Sequence, residues 1–172
     1  MVSNHELIRC WRAVASSAIP HFNRLLATMP VELLNHLYVG TCDTRGSFVM
    51  FEGPGLIRIW GRDVTGRRIY TEMSREFRTR HVTNIRAMHH FGCGWSQSTS
   101  VVIPNGNRVL LSSTIVPAKG GLDDSELMVC CCERSETKLP AHGRKPSIAT
   151  VQSCWIDLGR GTPEIGPLEL TE

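Results

Sequence analysis

Residues 61–69, GRDVTGRRI, come closer than any other stretch of this sequence to a motif with known chemistry. Gly61 and Gly66 have the glycine spacing of the phosphate-binding loop G-x-x-x-x-G-K-[ST]. That loop needs a lysine for the β- and γ-phosphates and a hydroxyl for Mg²⁺, but Arg67 and Arg68 occupy these positions. The preceding IRIW is also short and charged for the buried parallel strand that such a loop follows. A nucleotide-binding enzyme is therefore the weaker alternative, and we expect no catalytic site.

The same stretch has the composition of a turn that also carries positive charge. We expect a turn between short helices, in which Asp63 or Thr65 caps the next helix. Arg62, Arg67 and Arg68 would then offer a surface to an anion or to an acidic partner. The two interpretations are compatible, because the glycines would allow the backbone conformation of the turn while the arginine side chains would face the solvent.

Histidines mark the next segment, which reads as a long helix from about Ser74 to Gly92 or Gly94. One face of this helix carries mainly apolar side chains at helical spacing: Phe77, His81, Ile85, Met88 and His89. We expect that face to look toward the core, where a histidine is either a hydrogen-bonded core residue or a ligand.

A hairpin follows, WSQSTSVVI-PNG-NRVLLSSTIV, and its turn decides which side chains share a face. A two-residue loop at Asn105-Gly106 would place serines of the first strand on the same face as aliphatic residues of the second. A three-residue loop from Pro104 to Gly106 produces one apolar face, so we predict the longer loop. That face contains Trp95, Thr99, Val101 and Ile103 together with Val109, Leu111 and Ile115. It is either plain core or one wall of a ligand pocket facing the histidine helix.

The remaining elements complete an α+β domain with an antiparallel sheet. Asn4 to Val14 reads as a helix whose stripe, Leu7, Cys10, Trp11 and Val14, packs either on its own domain or on a second copy. A short helix follows Pro30. LYVGTC and SFVMF form a first hairpin, AKGGLDDS is a polar loop, and ELMVCCCE is the third strand of the second sheet half. LPAHGRKPS reads as a linker, TVQSCWIDLG as a strand or docked segment, and the Pro- and Gly-rich end as poorly ordered.

Bulk composition excludes several classes of protein. The net charge of +3 does not call for nucleic acid, and no apolar run is long enough to span a membrane. The N-terminus lacks the layout of a signal peptide, so we expect a cytoplasmic protein. Seven cysteines without any C-x-x-C pair predict reduced, half-buried residues rather than a disulfide framework, structural zinc or covalent haem.

Four stretches resemble a family of small bacterial single-PAS proteins: HELIRCWRAV, LLNHLYVGTCD, GRDVTGRRI and IDLGRGTP, in that order. The order of helices and strands is similar as well, over roughly residues 4–163. Asn35 stands where the family usually has proline, and GPGLIRIW replaces a GTALVERF-like stretch. The family has no common catalytic residues.

The resemblance implies a PAS-like fold: a five-stranded antiparallel sheet with helices on one face, preceded by N-terminal helices. It divides the chain into a helical segment (1–36), a PAS-like domain (37–135) and a linker with a docked or disordered tail (136–172). It implies a sensory or signalling module that contacts a signalling protein, forms a homodimer and holds a small ligand between sheet and long helix. Some PAS domains bind haem through a histidine on this helix, which would be His89, with His81 or His90 as substitutes.

Overall fold

The computed structural model describes residues 4–16, 18–102, 108–120, 124–139 and 148–170. Within them the helices are α1 (Asn4–Val14), α2 (Phe22–Leu26), α3 (Val31–Leu34), α4 (Pro54–Trp60) and α5 (Arg75–Phe91). The strands are β1 (Leu37–Asp43), β2 (Gly46–Glu52), β3 (Arg68–Ile69), β4 (Gly94–Val102), β5 (Arg108–Gly120), β6 (Ser125–Leu139) and β7 (Ile148–Ile156).

The long helix α5 begins and ends at the signals that the sequence contains. Ser74 caps it, since its hydroxyl accepts a hydrogen bond of 3.1 Å from the backbone N–H of Phe77. Gly92 ends it in the left-handed conformation, with φ of 62°. The predicted start near Ser74 and the stop at Gly92 are confirmed, as are α1 from Asn4 to Val14 and the short helix after Pro30.

The strands form one antiparallel sheet in the order β3-β2-β1-β6-β5-β4-β7. The α+β class is thus confirmed, whereas the expected number of five strands is wrong, because the sheet has seven. The extra strands lie at the two edges. β3 has only two residues and shows no alternation that a sequence pattern would detect. β7 settles the ambiguity of TVQSCWIDLG in favour of a strand, which pairs along the length of β4.

The register of β4 and β5 is the one that requires three residues in the turn. Trp95 lies opposite Ile115, Thr99 opposite Leu111, and Val101 opposite Val109. The predicted common face is therefore confirmed for these six residues. The turn itself, with Ile103, lies outside the described residues. β5 continues to Gly120, so the polar loop expected from Ala118 begins later than predicted.

Helices cover both faces of the sheet, and the expectation of helices on one face is wrong. We call the face toward α4 and α5 the inner face and the face toward α1, α2 and α3 the outer face. Successive residues of the central strands alternate between the two: Ile115 and Cys130 join the inner core, Val116 and Cys131 the outer core. The central strands carry apolar residues on both faces. In a sheet with one face in water, apolar and polar residues would alternate instead.

The stripe of α1 packs within its own chain. Leu7, Cys10 and Trp11 are buried against the outer face, and Val14 packs at the margin of the same core. The indole Nε1 of Trp11 donates a buried hydrogen bond of 2.7 Å to the carbonyl oxygen of Pro117. These side chains are thus occupied inside one chain and are not available as a dimer contact in this fold.

Residues 157–170, the C-terminal strap, are docked along β7 and α5, which corresponds to the docked one of the two alternatives expected for the tail. Asn84 bonds both backbone polar groups of Leu168, with its Nδ2 donating at 2.8 Å and its Oδ1 accepting at 2.9 Å. The backbone N–H of Thr150 donates to the carbonyl oxygen of Leu170, whose side chain lies in the inner core. The Trp155 indole donates to Ile165 O at 2.9 Å. Backbone pairing compensates for the lack of regular structure in the Pro- and Gly-rich sequence.

The expected divisions at residues 36 and 135 do not coincide with gaps in the packing. The helices before residue 36 share the outer core with the sheet, and residue 135 lies within β6. Most of the expected linker, residues 140–147, is outside the described residues. No helix in the described part of the chain is both long and apolar enough to cross a membrane.

Replacing Trp11 by Phe should lower the free energy of unfolding by about 1–3 kcal/mol, because the Pro117 carbonyl loses its partner in a buried site. Chemical denaturation measures this change. Trp60→Phe is the matched control, since the Trp60 indole is only half-buried and donates to none of the described residues. Equal effects of the two substitutions would show that the Trp11 hydrogen bond contributes nothing.

Candidate functional site

The GRDVTGRRI stretch is a turn that connects α4 to the edge strand β3, not a turn between two helices. Its backbone donors are used inside the turn and against β2. The N–H of Gly66 donates to Val49 O at 2.8 Å, and the N–H of Arg67 donates to Val64 O at 3.0 Å. A phosphate loop needs such N–H groups free to point at the ligand. The arrangement therefore does not support a nucleotide site at this turn.

Two carboxylates organise the turn. Asp63 Oδ1 accepts the N–H of Thr65 at 2.8 Å, which is a local turn bond rather than a helix cap. Glu52 lies buried at the end of β2 and accepts the N–H of Val64 at 3.1 Å. Burial raises the pKa of Glu52, and the Val64 hydrogen bond opposes that change. The conformation of the turn is thus set by contacts within the fold.

The three arginines of the turn do not act together. Arg68 makes two hydrogen bonds to the Asp43 carboxylate, at 2.9 and 3.0 Å. Hydrogen bonds from Arg45 and then from Arg68 lower the pKa of Asp43 to about 2. Arg62 and Arg67 remain exposed. The expected anion surface is therefore reduced to these two side chains, and Arg68 is a structural residue that ties β3 to the β1–β2 hairpin.

The expected pocket residues of α5 and of β4–β5 are all buried, and most of them meet between α5 and the inner face. The shared inner core contains eight of these predicted residues: Phe77, Ile85, Met88, Trp95, Val101, Val109, Leu111 and Ile115. His81 contacts the rings of Phe77 and Trp95, and Thr99 is buried opposite Leu111. His90 is exposed on the opposite side of the helix.

A row of inner-face side chains crosses five adjacent strands under α5. Tyr38 lies opposite Cys130, Cys130 opposite Ile115, Ile115 opposite Trp95, and Trp95 opposite Trp155. Adjacent strands are about 4.8 Å apart. The row therefore carries a tyrosine at one end and two tryptophans at the other, with small aliphatic or thiol groups between them.

His81 is the polar centre of this interface. Its Nε2 lies 3.3 Å from Ser47 Oγ, and its ring contacts Tyr70 and Trp95 at centroid distances of 5.4 and 5.8 Å. Burial in apolar surroundings lowers the pKa of His81 to about 4. The imidazole is accordingly neutral at pH 7, with one nitrogen able to donate and the other able to accept.

Tyr70 reaches this centre from a strained backbone. Its φ is 64°, a left-handed conformation that bulky residues rarely adopt and that costs about 1–3 kcal/mol. The conformation follows directly after β3 and brings the ring to 5.5 Å from that of Phe77. The fold tolerates the strain because the aromatic contacts of Tyr70 compensate for it.

Several buried polar atoms of the inner face have no hydrogen-bond partner among the described residues. Two of them are His81 Nδ1 and Tyr38 Oη, whose side chains both lie beside Ser47, Tyr38 without a hydrogen bond of normal geometry. Burial raises the pKa of Tyr38 well above its ordinary value. Gln97 Oε1 and Thr99 Oγ1 add two more such atoms along β4. Each unpaired buried group costs about 1–3 kcal/mol, so these atoms are the least satisfied part of the inner face among the described residues.

His89 lies apart from the polar centre, toward the end of the β5–β6 hairpin. Burial lowers its pKa, while Glu126 and a hydrogen bond to the Leu127 backbone oppose that change. Its Nε2 is buried without a partner among the described residues, as an axial haem ligand would be. However, its helical neighbours Ile85 and Met88 are packed into the inner core, which leaves little room for a macrocycle. The surroundings fit a core histidine better than a haem ligand.

The cysteines are divided between the two cores. Cys130 and Cys132 lie on the inner side, Cys131 on the outer side, and Ser113 Oγ donates to Cys132 Sγ at 3.2 Å. Burial raises the pKa of Cys132 to about 11 and that of Cys131 to about 12. In the part of the chain that the structure describes, no three His, Cys, Asp or Glu residues converge on a point that could hold a metal ion.

The sequence predicted that His81 and the β4–β5 face are buried together, but it did not predict the residues on the opposite side of His81. Tyr38, Ser47 and Tyr70 come from β1, β2 and the residue after β3. Alternation along LYVGTC and SFVMF contains the signal for Tyr38 and Ser47. Tyr70 has no such signal, because its position depends on the pairing of a two-residue strand.

Lowering the pH should reduce the free energy of unfolding through His81. Its folded pKa of about 4 lies below the ordinary value of 6.5, so its contribution is full above pH 6.5 and is lost as the pH falls toward 4. That loss is about 3 kcal/mol, and buried His89 adds to it in the same direction. Denaturant unfolding at pH 7 and pH 4.5 measures the effect.

His81→Phe removes the titrating group and should flatten this pH dependence, while His90→Phe, at an exposed position, should leave it unchanged. A parallel pH dependence in all three proteins would contradict the assignment to His81.

Comparison of the chain with models of known protein families finds no family that matches, and comparison with curated proteins finds no significant relative. The geometry of the inner face and the sequence motifs are therefore the grounds on which a function is argued.

Proposed function

We propose that the protein is a PAS-like signalling module that holds a small ligand between α5 and the inner face and acts through contact with a partner protein. The observation that carries this proposal is that two buried atoms, Tyr38 Oη and His81 Nδ1, have no hydrogen-bond partner among the described residues. The structure supports the fold comparison through β2, β1, β6, β5 and β4, which form a five-stranded antiparallel core when the two edge strands are set aside.

The ligand class follows from the residues that line the site. Tyr38 and His81 each offer a donor or an acceptor, whereas the neighbouring row of Cys130 and Ile115 is apolar. Phe77, Tyr70 and Trp95 surround the histidine with aromatic faces. These features favour a small, uncharged molecule with a polar end toward Tyr38 and His81 and an apolar body along the strand row.

The signal would leave the site through α5 and the C-terminal strap. His81 and Asn84 lie one turn apart on α5, and Asn84 bonds the backbone of Leu168 in the strap. Arg80 donates a further hydrogen bond to Glu169 O at 3.2 Å. A ligand that displaces α5 would therefore also displace the strap. The partner protein would then recognise the altered surface formed by α5 and the strap. We place the protein in the bacterial cytoplasm, as a homodimer that binds neither nucleic acid nor membrane and has no enzymatic activity.

Native mass spectrometry of the purified protein tests this proposal directly. We expect a fraction of the protein to carry a small molecule and to be dimeric. Ligand-free protein that also fails to bind any member of a library of small uncharged metabolites would overturn the sensor proposal. A protein that is monomeric but carries the ligand would contradict only the proposed homodimer.

Tyr38→Phe distinguishes a ligand site from ordinary core. In ligand-free protein the substitution should leave the free energy of unfolding unchanged or raise it by about 1 kcal/mol, because it removes an unpaired buried hydroxyl. In the ligand-bound protein it should weaken binding about tenfold. Denaturation and calorimetry provide the two readouts.

Thr41→Val is the matched control, since it removes a half-exposed hydroxyl from the same strand. It should alter neither quantity. Destabilisation of the ligand-free protein by Tyr38→Phe would mean that the hydroxyl is already paired, and the proposed role of Tyr38 would then fail.

A further inference from the structure

A second site candidate lies on the outer face, away from α5. It is a groove of about 670 Å³ between α1 and the outer surface of β4, β5 and β7, which we call the α1 groove. Its volume lies in the range of small-molecule sites, which is about 300–1,000 Å³. None of its lining residues belongs to the inner cluster, so this groove is independent of the proposed sensor site.

The floor of the groove is a row of small polar side chains. Ser96 lies opposite Thr114 on one side and opposite Cys154 on the other. Three adjacent strands therefore place two hydroxyls and a thiol side by side, over a width of about 10 Å. All three groups can donate a hydrogen bond, and the floor contains no carboxylate among the described residues.

The wall of the groove is the exposed side of α1. His5, Arg9 and Arg12 line it at spacings of four and three residues, which places them on one side of the helix. Ile8 on the helix and Ile156 on β7 add apolar surface. A basic wall, a donor floor and two apolar side chains together complement an anion that has an organic body.

The helix that carries this wall is held in place along its length. Asn4 Nδ2 donates to Ser112 Oγ at 3.0 Å near one end of the groove. Arg12 Nη2 donates to the carbonyl oxygen of Asp157 at 2.7 Å at the other end. The second bond fixes the guanidinium, whose planar fork has further N–H groups on its other edge.

The acidic groups near the groove are already engaged or lie outside it. Glu6 pairs with Arg9, but the pair is exposed and contributes little, so an anion can compete for Arg9. Asp157 Oδ1 accepts the N–H groups of Gly159, Arg160 and Gly161 at 2.7–3.0 Å. Glu133 lies opposite Ser112 on β6 and does not line the groove. Among the described residues, the lining itself thus contains two guanidinium groups and no carboxylate, while the carboxylates of Glu6 and Asp157 lie near Arg9 and Arg12.

We propose that the α1 groove binds a phosphorylated small molecule of nucleotide size. Arg12 and Arg9 would hold the phosphate with charge-assisted hydrogen bonds, and Ser96 and Thr114 would donate to its remaining oxygens. Ile8 and Ile156 would pack against the organic part. The site is one of binding, and no bond is made or broken in it.

Titration of the isotope-labelled full-length chain with nucleoside 5′-monophosphates, followed by NMR, tests this proposal. Adenosine and citrate are the comparison probes, one without phosphate and one with carboxylates only. A nucleotide should shift the amide signals of α1 and of Ser96, Thr114 and Cys154. Adenosine and citrate should bind at least tenfold more weakly, and added salt should weaken nucleotide binding.

Cys154→Asp provides a variant that does not disturb the core, because Cys154 is exposed. The new carboxylate on the floor should weaken nucleotide binding at least tenfold, whereas Cys154→Ser should retain it. Arg12→Ala should weaken binding to a similar extent, with the exposed Arg62→Ala as its matched control. Bound nucleotide should also slow alkylation of the Cys154 thiol, as read by peptide mass spectrometry.

Three results would overturn the proposal: no amide shifts with any nucleotide at millimolar concentration, equal binding of citrate or adenosine, or unchanged binding to Cys154→Asp. His81→Phe and Tyr38→Phe should leave nucleotide binding intact. Failure of the inner-face sensor site would therefore be seen separately from failure of the α1 groove.

Discussion

The alternation of the two central strands is the constraint on which the rest of the structure depends. β5 and β6 pair over most of their length, and each sends consecutive side chains into opposite cores. Ile115 and Cys130 go inward, whereas Val116 and Cys131 go outward. Because both parities are apolar over residues 115–118 and 127–132, neither face of this part of the hairpin tolerates water, and each must be covered by helices.

The two helical layers have different consequences for function. The outer layer buries apolar side chains of α1 almost completely and uses Trp11 to satisfy a sheet carbonyl, which is an arrangement suited to stability. The inner layer contains a neutral histidine, a strained tyrosine and polar atoms without partners among the described residues. Such departures from a well-satisfied core concentrate at functional sites, which is why the inner interface is the stronger candidate for ligand sensing.

Both candidate sites depend on α-helices held by polar bonds to the chain after β7. Asn84 of α5 bonds Leu168, and Arg12 of α1 bonds the carbonyl of Asp157. The segment between these residues therefore contacts the helices of both layers.

Much of the local structure was predictable from the sequence because short-range rules decide it. Ser74 and Gly92 set the ends of α5, the stripe of α1 sets its buried side, and the apolar pattern around Pro104–Gly106 sets the register of β4 and β5. The buried face of α5 with His81 followed from the same periodicity. These features involve residues close in the chain, whose geometry is limited by caps, turns and side-chain alternation.

Only the tertiary structure decided which distant segments meet. It paired β7 with β4, added the two-residue β3 to β2, covered the outer face with α1–α3, and docked the strap on α5. It also brought Tyr38, Ser47 and Tyr70 to His81, and α1 to the hydroxyl row of the groove. These contacts arise because apolar surface and unpaired backbone groups far apart in the sequence must find partners, and a local pattern does not specify which partner satisfies them.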